Sequence, residues 1–113
     1  MPIKKQGVET TDKKLKVQIG VCKRMKKEVA AYEKEVITNE ARVQKMKDEG
    51  RDIYDIRKQE EVLQESYMMV PDSKNRFQEA LNELNNLLEQ YAEDAEVTEE
   101  TRTEARAILA ESS

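Results

Sequence analysis

Histidine is absent from this chain of 113 residues, and cysteine occurs once, at Cys22. Without histidine, the chain lacks the commonest general base near neutral pH and the commonest side-chain ligand for metals. A lone cysteine cannot form a disulfide within the chain, which is typical of proteins from reducing compartments. The neighbouring carboxylates, such as Glu60 and Glu61, fit solvated helix faces without a pocket to shift a pKa. We therefore predict a protein that is not an enzyme and has no catalytic site, metal site or cofactor.

Turn-forming and aromatic residues are scarce. The chain has 3 glycines, 2 prolines and 4% aromatic residues, and no glycine follows Gly50. With 39% charged residues, it cannot fill a deep core, but it can fill a narrow seam between helices that each bury one apolar stripe. The dominant residue types are strong helix formers. The composition predicts an all-α fold with very few turns.

Long apolar runs are also missing, so the sequence predicts no membrane span, and Met1–Lys14 lacks the apolar stretch of a signal peptide. The net charge of −4 argues against a nucleic-acid-binding protein. The lysine-rich segment Lys13–Lys27 is a local exception with two interpretations, a solvated helix face or a contact for an acidic partner. We expect a cytoplasmic protein that binds neither nucleic acid nor membranes.

Apolar side chains recur every seven residues in the first half of the chain, which predicts a helix with a heptad seam. Threonine at position 10 or 11 can cap its start, and Gly50 suits its C-terminal cap, so the helix should run from about Asp12 to Glu49. The seam and its neighbouring positions comprise Leu15, Cys22, Met25, Val29, Tyr32, Val36, Val43 and Met46, with Gln18 and Asn39 as polar interruptions.

A second heptad seam follows a short turn in which Asp52 can cap the next helix. It comprises Ile56, Leu63, Val70, Phe77, Leu84 and Tyr91, with Tyr67, Leu81 and Leu88 in neighbouring positions. The seam keeps its phase through Pro71, although proline normally breaks a helix. Two interpretations stay open: one helix from about Ile53 to Ala92 that is kinked near Pro71, or two helices that meet there, with Asp72 or Ser73 as a new N-cap.

The acidic segment Glu93–Glu100 predicts a loop, and a short last helix can start at Thr98 or at Thr101, where Glu104 would complete a capping box. The predicted architecture is an antiparallel three-helix bundle, spectrin-like or coiled-coil-like, with two long helices and a shorter third. Residues 1–11 should form a flexible tail and residues 12–113 a single domain. Because the third helix covers only part of the long pair, exposed apolar side chains should remain as a binding surface.

Four consecutive apolar residues, Tyr67 to Val70, do not fit one helix face. If Val70 lies on the seam, Met68 points about 160° away from it. Either the proline twists the local phase and buries the methionines, or they form an exposed, adaptable apolar patch.

The segment from Tyr54 to Asp72, YDIRKQEEVLQESYMMVPD, resembles the signature of the tubulin-binding cofactor A family. Shorter resemblances occur at Val21–Arg24, Tyr32–Glu35 and Arg76, and together they cover roughly Leu15–Glu89. The resemblance implies a three-helix bundle that binds quasi-native β-tubulin after its release from the chaperonin. It implies a one-to-one complex, delivery toward αβ-heterodimers, indirect contact with other tubulin-folding cofactors, and a place with the microtubule cytoskeleton.

Carried over residue by residue, the motif also implies a β-tubulin-binding set, whereas Leu63, Val70 and Pro71 are assigned to architecture. The predicted set is Tyr54, Asp55, Lys58, Gln59, Glu65, Ser66, Met68, Met69 and Asp72. A helical adaptor with a different partner is the alternative function. Heptad seams can be satisfied within one chain or between two, so a homodimer also stays open.

Overall fold

The computed structural model of the chain describes residues 10–112. Residues 1–9 of the predicted tail therefore lie outside the described residues. Three α-helices follow one another: α1 (Thr11–Asp48), α2 (Ile53–Gln90) and α3 (Glu99–Glu111). No strand occurs among the described residues. The predicted all-α fold, a bundle of two long helices and a shorter third, is confirmed. None of the helices in this part of the chain is both long and apolar enough to span a membrane.

The short turn between α1 and α2 is built from residues that the sequence identified. Gly50 has φ 66°, and its N–H donates to Lys47 O at 3.1 Å while Arg51 N–H donates to Met46 O at 3.0 Å. These two bonds form a Schellman motif, which satisfies carbonyls at the end of α1. Asp52 Oδ1 then accepts from Tyr54 N–H at 2.7 Å, and this cap starts α2.

Helix α2 continues through Pro71 as one element. The alternative of two helices that meet at this proline is therefore wrong, while the size of any kink stays a prediction. The unbroken heptad phase favours a continuous helix. The apolar stripe lies on the same helix face before and after Pro71, so one helix can bury it along its whole length without a turn.

The start of α3 is tied to the start of α1. Thr98 is the N-cap, and its Oγ1 accepts from Thr101 N–H at 3.2 Å. The Thr98 N–H and hydroxyl donate to Asp12 Oδ1 at 3.1 and 3.2 Å. Of the two predicted starts, Thr98 is confirmed and Thr101 is wrong, because Thr101 lies inside the helix and is buried.

A buried arginine, which the sequence did not reveal, holds the loop before α3. Arg102 is only 7% exposed, and its Nη2 donates to Asp94 O at 2.8 Å. A buried guanidinium needs such partners, since an unpaired buried charge is costly. The fixed loop in turn positions Thr98 for its capping role.

The described residues fall into two compact units. The three-helix unit combines α1 up to Lys23 with the chain from Glu79 onward, and the two-helix unit is Arg24–Gln78. The three-helix unit holds most of the buried apolar side chains: Leu15, Ile19, Cys22, Ala80, Leu81, Leu84, Val97, Ala105 and Ile108. In the two-helix unit the buried apolar residues are Val43, Ile56 and Leu63. A third helix thus accompanies the larger apolar core.

The two predicted seams are largely confirmed. Leu15, Cys22 and Val43 of α1 are buried, as are Ile56, Leu63, Leu81 and Leu84 of α2, and the remaining apolar seam residues are half-buried except Tyr67. Tyr67, which was predicted for a position next to the seam, is 40% exposed. Ser66 and Ser73, which are seven residues apart, are buried in the seam at 4% and 1% exposure. Because both residues are polar, a heptad pattern of apolar residues does not include them.

Candidate protein interface

Exposed apolar side chains concentrate in the two-helix unit. The large apolar residues that remain exposed are Val17, Ile37, Ile53, Tyr54, Val62, Tyr67 and Met68, and only Val17 lies outside that unit. Two packed helices bury only the stripes that face each other, so side chains flanking the seam stay accessible. The expected apolar surface is therefore present, and it lies where the helices form a single layer.

One group of these side chains lines an open groove of about 320 Å³, here called the methionine groove. It is formed by Tyr32, Glu35, Val62, Glu65, Ser66, Met68 and Met69. Met68 is the most exposed of its apolar residues at 71%, whereas Met69 is half-buried. The unbranched, polarizable methionine side chain adapts to irregular surfaces. The groove therefore offers a deformable apolar contact with a carboxylate on each helix.

A second groove, of about 370 Å³, lies on the other side of the seam and is here called the proline groove. It is formed by Glu33, Val36, Ile37, Tyr67, Val70 and Pro71. Val70 lies on the seam. Pro71, the next residue, lines the proline groove, and Met69, the preceding residue, lines the methionine groove. Successive helical residues are rotated by 100°, so the four-residue apolar run turns toward both sides.

Polar bridges between described residues cross from α1 to α2 along the proline-groove side. Glu33 and Lys74 form an ion pair at 3.7 Å, and Lys47 and Glu60 form another at 3.6 Å. Between them, Tyr67 Oη donates to Glu40 Oε2 at 2.7 Å, which raises the pKa of the phenol. The bridged residues are seven apart on each helix, which is close to two turns. Each exposed bridge contributes little, but together they favour a single register of the helix pair.

The seam inside the two-helix unit is unusually polar. Besides Ser66 and Ser73, it buries Asn39 to 3% exposure, and the side-chain amide nitrogens of Asn39 and Gln59 are buried without a partner among the described residues. An unsatisfied buried polar group costs about 1–3 kcal/mol. A buried asparagine in a heptad seam is known to restrict register at the expense of stability. This unit is thus held in a defined register by a comparatively weak seam.

The family model for tubulin binding cofactor A matches residues 10–109. The chain belongs to the tubulin-binding cofactor A family. A chicken protein named tubulin-specific chaperone A is 46% identical over 97 residues, which are 86% of this chain and 88% of that protein. The human tubulin-specific chaperone A is 43% identical over 97 residues, with the same coverage.

Solved structures agree with this membership of the cofactor A family. The crystal structure of tubulin folding cofactor A from Arabidopsis thaliana matches with a TM-score of 0.77 and 40% identity, over 89% of this chain and 94% of that one. The human tubulin chaperone cofactor A matches with a TM-score of 0.71 and 38% identity, over 91% and 98%. The resemblance read from the sequence is therefore confirmed at the level of the family.

The binding residues implied by the cofactor A motif separate into two sets. The structure brings Glu65, Ser66, Met68 and Met69 together in the methionine groove. The others are not part of either groove: Tyr54, Asp55, Lys58 and Asp72 are exposed, and Gln59 is half-buried. Asp72 pairs with Arg76 at 3.4 Å on the same helix. Their role in binding stays a prediction.

Ser66 needs a correction, because its side chain is not available as a surface contact. It is 4% exposed, and its Oγ donates to Leu63 O at 2.7 Å within α2. Tyr32, Glu35 and Val62 were missed as groove residues, although Val62 lies within the motif. Glu35 and Val62 lie next to the seam, whereas Tyr32 was predicted as part of the heptad stripe.

Two further features of the cofactor A chain have structural roles. Burial raises the pKa of the Cys22 thiol, and this shift disfavours the reactive thiolate form. Within the lysine-rich segment, Lys16 pairs with Asp12 at 3.2 Å and Lys23 with Glu104 at 2.6 Å. The described residues contain no cluster of histidine, cysteine and carboxylate side chains that could hold a metal ion.

Proposed function

We propose that this chain is a tubulin chaperone that binds quasi-native β-tubulin after its release from the chaperonin. It holds that subunit in a one-to-one complex and delivers it toward assembly of αβ-heterodimers. The proposal is supported by membership of the cofactor A family and by relatives that carry the name tubulin-specific chaperone A. It places the chain in the cytoplasm, beside the microtubule cytoskeleton, with only indirect contact to other folding cofactors.

The observation that carries the proposal is the apolar surface of the two-helix unit. Six of the seven exposed large apolar residues lie there, and two grooves open on the flanks of its seam. A subunit of an obligate heterodimer exposes apolar surface until its partner arrives. A helical layer with accessible apolar side chains can cover part of that surface and thereby protect the subunit from aggregation.

Holding the client requires no chemical step. Binding to the assembly-competent subunit lowers the concentration of the free, aggregation-prone species by mass action. Release then follows when a competing partner covers the same surface more tightly. The charged outer faces of α1 and α2 keep the chaperone itself soluble around its apolar contacts.

A pull-down with the full chain and purified tubulin tests the proposal. We expect recovery of β-tubulin without α-tubulin, in a complex whose sedimentation corresponds to one copy of each protein. Recovery of intact heterodimer, or of no tubulin, would contradict it and favour a helical adaptor for another partner. Sedimentation of the chaperone alone at micromolar concentration decides whether it is a monomer or a homodimer before the client is added.

A further inference from the structure

The methionine groove carries unpaired negative charge on both of its walls. Glu35 of α1 and Glu65 of α2 line the groove and are exposed, and neither forms an ion pair within residues 10–112. The proline groove differs, because its carboxylate, Glu33, is already paired with Lys74 at 3.7 Å. The two grooves therefore offer different chemistry to a partner.

A third carboxylate lies along the same side of α1. Glu28, Tyr32 and Glu35 follow one another at spacings of four and three residues, so their side chains share one helix face. Oε2 of Glu28 is buried and has no hydrogen-bond donor among the described residues. A buried carboxylate oxygen without a donor is unfavourable, and Glu28 adds to the negative charge on this face of α1.

The remaining groove residues define the rest of the complementary ligand. Val62, Met68 and Met69 provide an apolar contact, and Tyr32 provides an aromatic ring beside the carboxylates. Aromatic rings attract lysine and arginine cations, and arginine can also form paired hydrogen bonds with a carboxylate. A purely apolar ligand would leave the carboxylates desolvated and unpaired, at a cost to binding.

We propose that the methionine groove binds a segment of the client that presents an arginine or lysine side chain next to an apolar one. The cation lies between Glu35 and Glu65, with Glu28 about two helical turns away toward the start of α1, and the apolar side chain packs on Met68 and Val62. This inference rests on the proposed function, because the client is the β-tubulin subunit. It assigns the client segment, with its cationic and apolar side chains, to the methionine groove. The proline groove is then the side on which polar bridges hold the two helices in register.

Charge reversal in the full chain tests the assignment. The variant Glu35→Lys with Glu65→Lys should weaken capture of β-tubulin at least about tenfold, because like charges replace the attractive pairs. Glutamine at both positions should weaken it less, since the repulsion is absent. The matched control is Glu83→Lys with Glu93→Lys, which makes the same change of net charge at exposed positions of the three-helix unit. Helicity and melting temperature of each variant verify folding.

The outcomes separate this inference from the proposed function. If wild type and control capture β-tubulin equally and the groove variant loses it, the assignment is supported. If both lysine variants behave alike while wild type binds, the assignment is overturned and the function stands. If wild type itself captures no β-tubulin, the function fails and the inference fails with it. A second readout is salt, which should weaken wild-type capture more than capture by the glutamine variant, because exposed ion pairs are screened.

Discussion

Replacing Met68 by glutamate should weaken client binding and leave the fold intact. Met68 is 71% exposed in the free chain. Full burial of an apolar side chain is worth about 1.5–3 kcal/mol, so covering the exposed part of Met68 contributes about 1–2 kcal/mol. Its loss corresponds to about 5- to 30-fold in the dissociation constant. A glutamate also places a charge where the apolar side chain of the client would have to desolvate it, so the measured loss should lie at the upper end.

The assay is a titration of β-tubulin with the full-length variant, followed by sedimentation or by native electrophoresis. The matched control is Val17→Glu, which introduces the same charge at an apolar residue that is 50% exposed and lies in the three-helix unit. Both variants should retain helicity and change the free energy of unfolding by no more than about 0.5 kcal/mol, as for other surface substitutions.

Two results would refute this reasoning about Met68. If Met68→Glu binds the client as well as Val17→Glu does, the methionine groove makes no contact with it. If Met68→Glu lowers helicity and the melting temperature, the methionine is packed in the fold rather than offered to a partner, and a loss of binding would then reflect unfolding.

Three further predictions concern the fold. Asn39→Leu should stabilise the chain by about 1 kcal/mol in chemical denaturation, because it removes a buried amide nitrogen that has no partner; a lower stability would mean that the amide is satisfied. Gly50→Ala should cost about 1 kcal/mol in the same assay, since φ 66° is strained for alanine although a Cβ would meet nothing within 4 Å. Hydrogen bonds from the Thr101 hydroxyl and the Thr98 amide lower the pKa of Asp12 from 3.8 to about 2. The ionised Asp12 therefore stabilises the fold above about pH 4, and this contribution is lost as the pH falls toward 2; Asp12→Asn should flatten that part of an acid-denaturation curve, and an unchanged curve would exclude the linkage.

The sequence predicted the helices well because their signals are local. Heptad spacing located α1 and α2, and the caps at Gly50 and Asp52 depend only on neighbouring residues. The continuity of α2 through Pro71 followed from the unshifted phase, against the usual effect of proline. The family was also accessible, since a long contiguous motif carried the resemblance.

The candidate interface was less predictable because it depends on how two helices face each other. Glu35 and Glu65 are far apart in sequence, and only the register of the helix pair brings them to one groove. Ser66 entered the binding set through the family motif, which does not show that its hydroxyl donates within its own helix and lies in a narrow seam. Arg102 was missed for the converse reason, since arginine is rarely buried without a partner such as the Asp94 carbonyl.

The seven-residue spacing of the cross-helix bridges has a kinetic consequence. Starting from the Gly50 turn, Lys47–Glu60 closes the smallest loop, Tyr67–Glu40 spans 27 residues, and Glu33–Lys74 closes the largest. Each contact shortens the loop that the next contact must close, so the chain entropy is lost in small steps. The hairpin can therefore form from its turn outward, and helical proteins rich in local contacts fold within milliseconds or faster. A chaperone assembled in this way needs little help to reach its own native state.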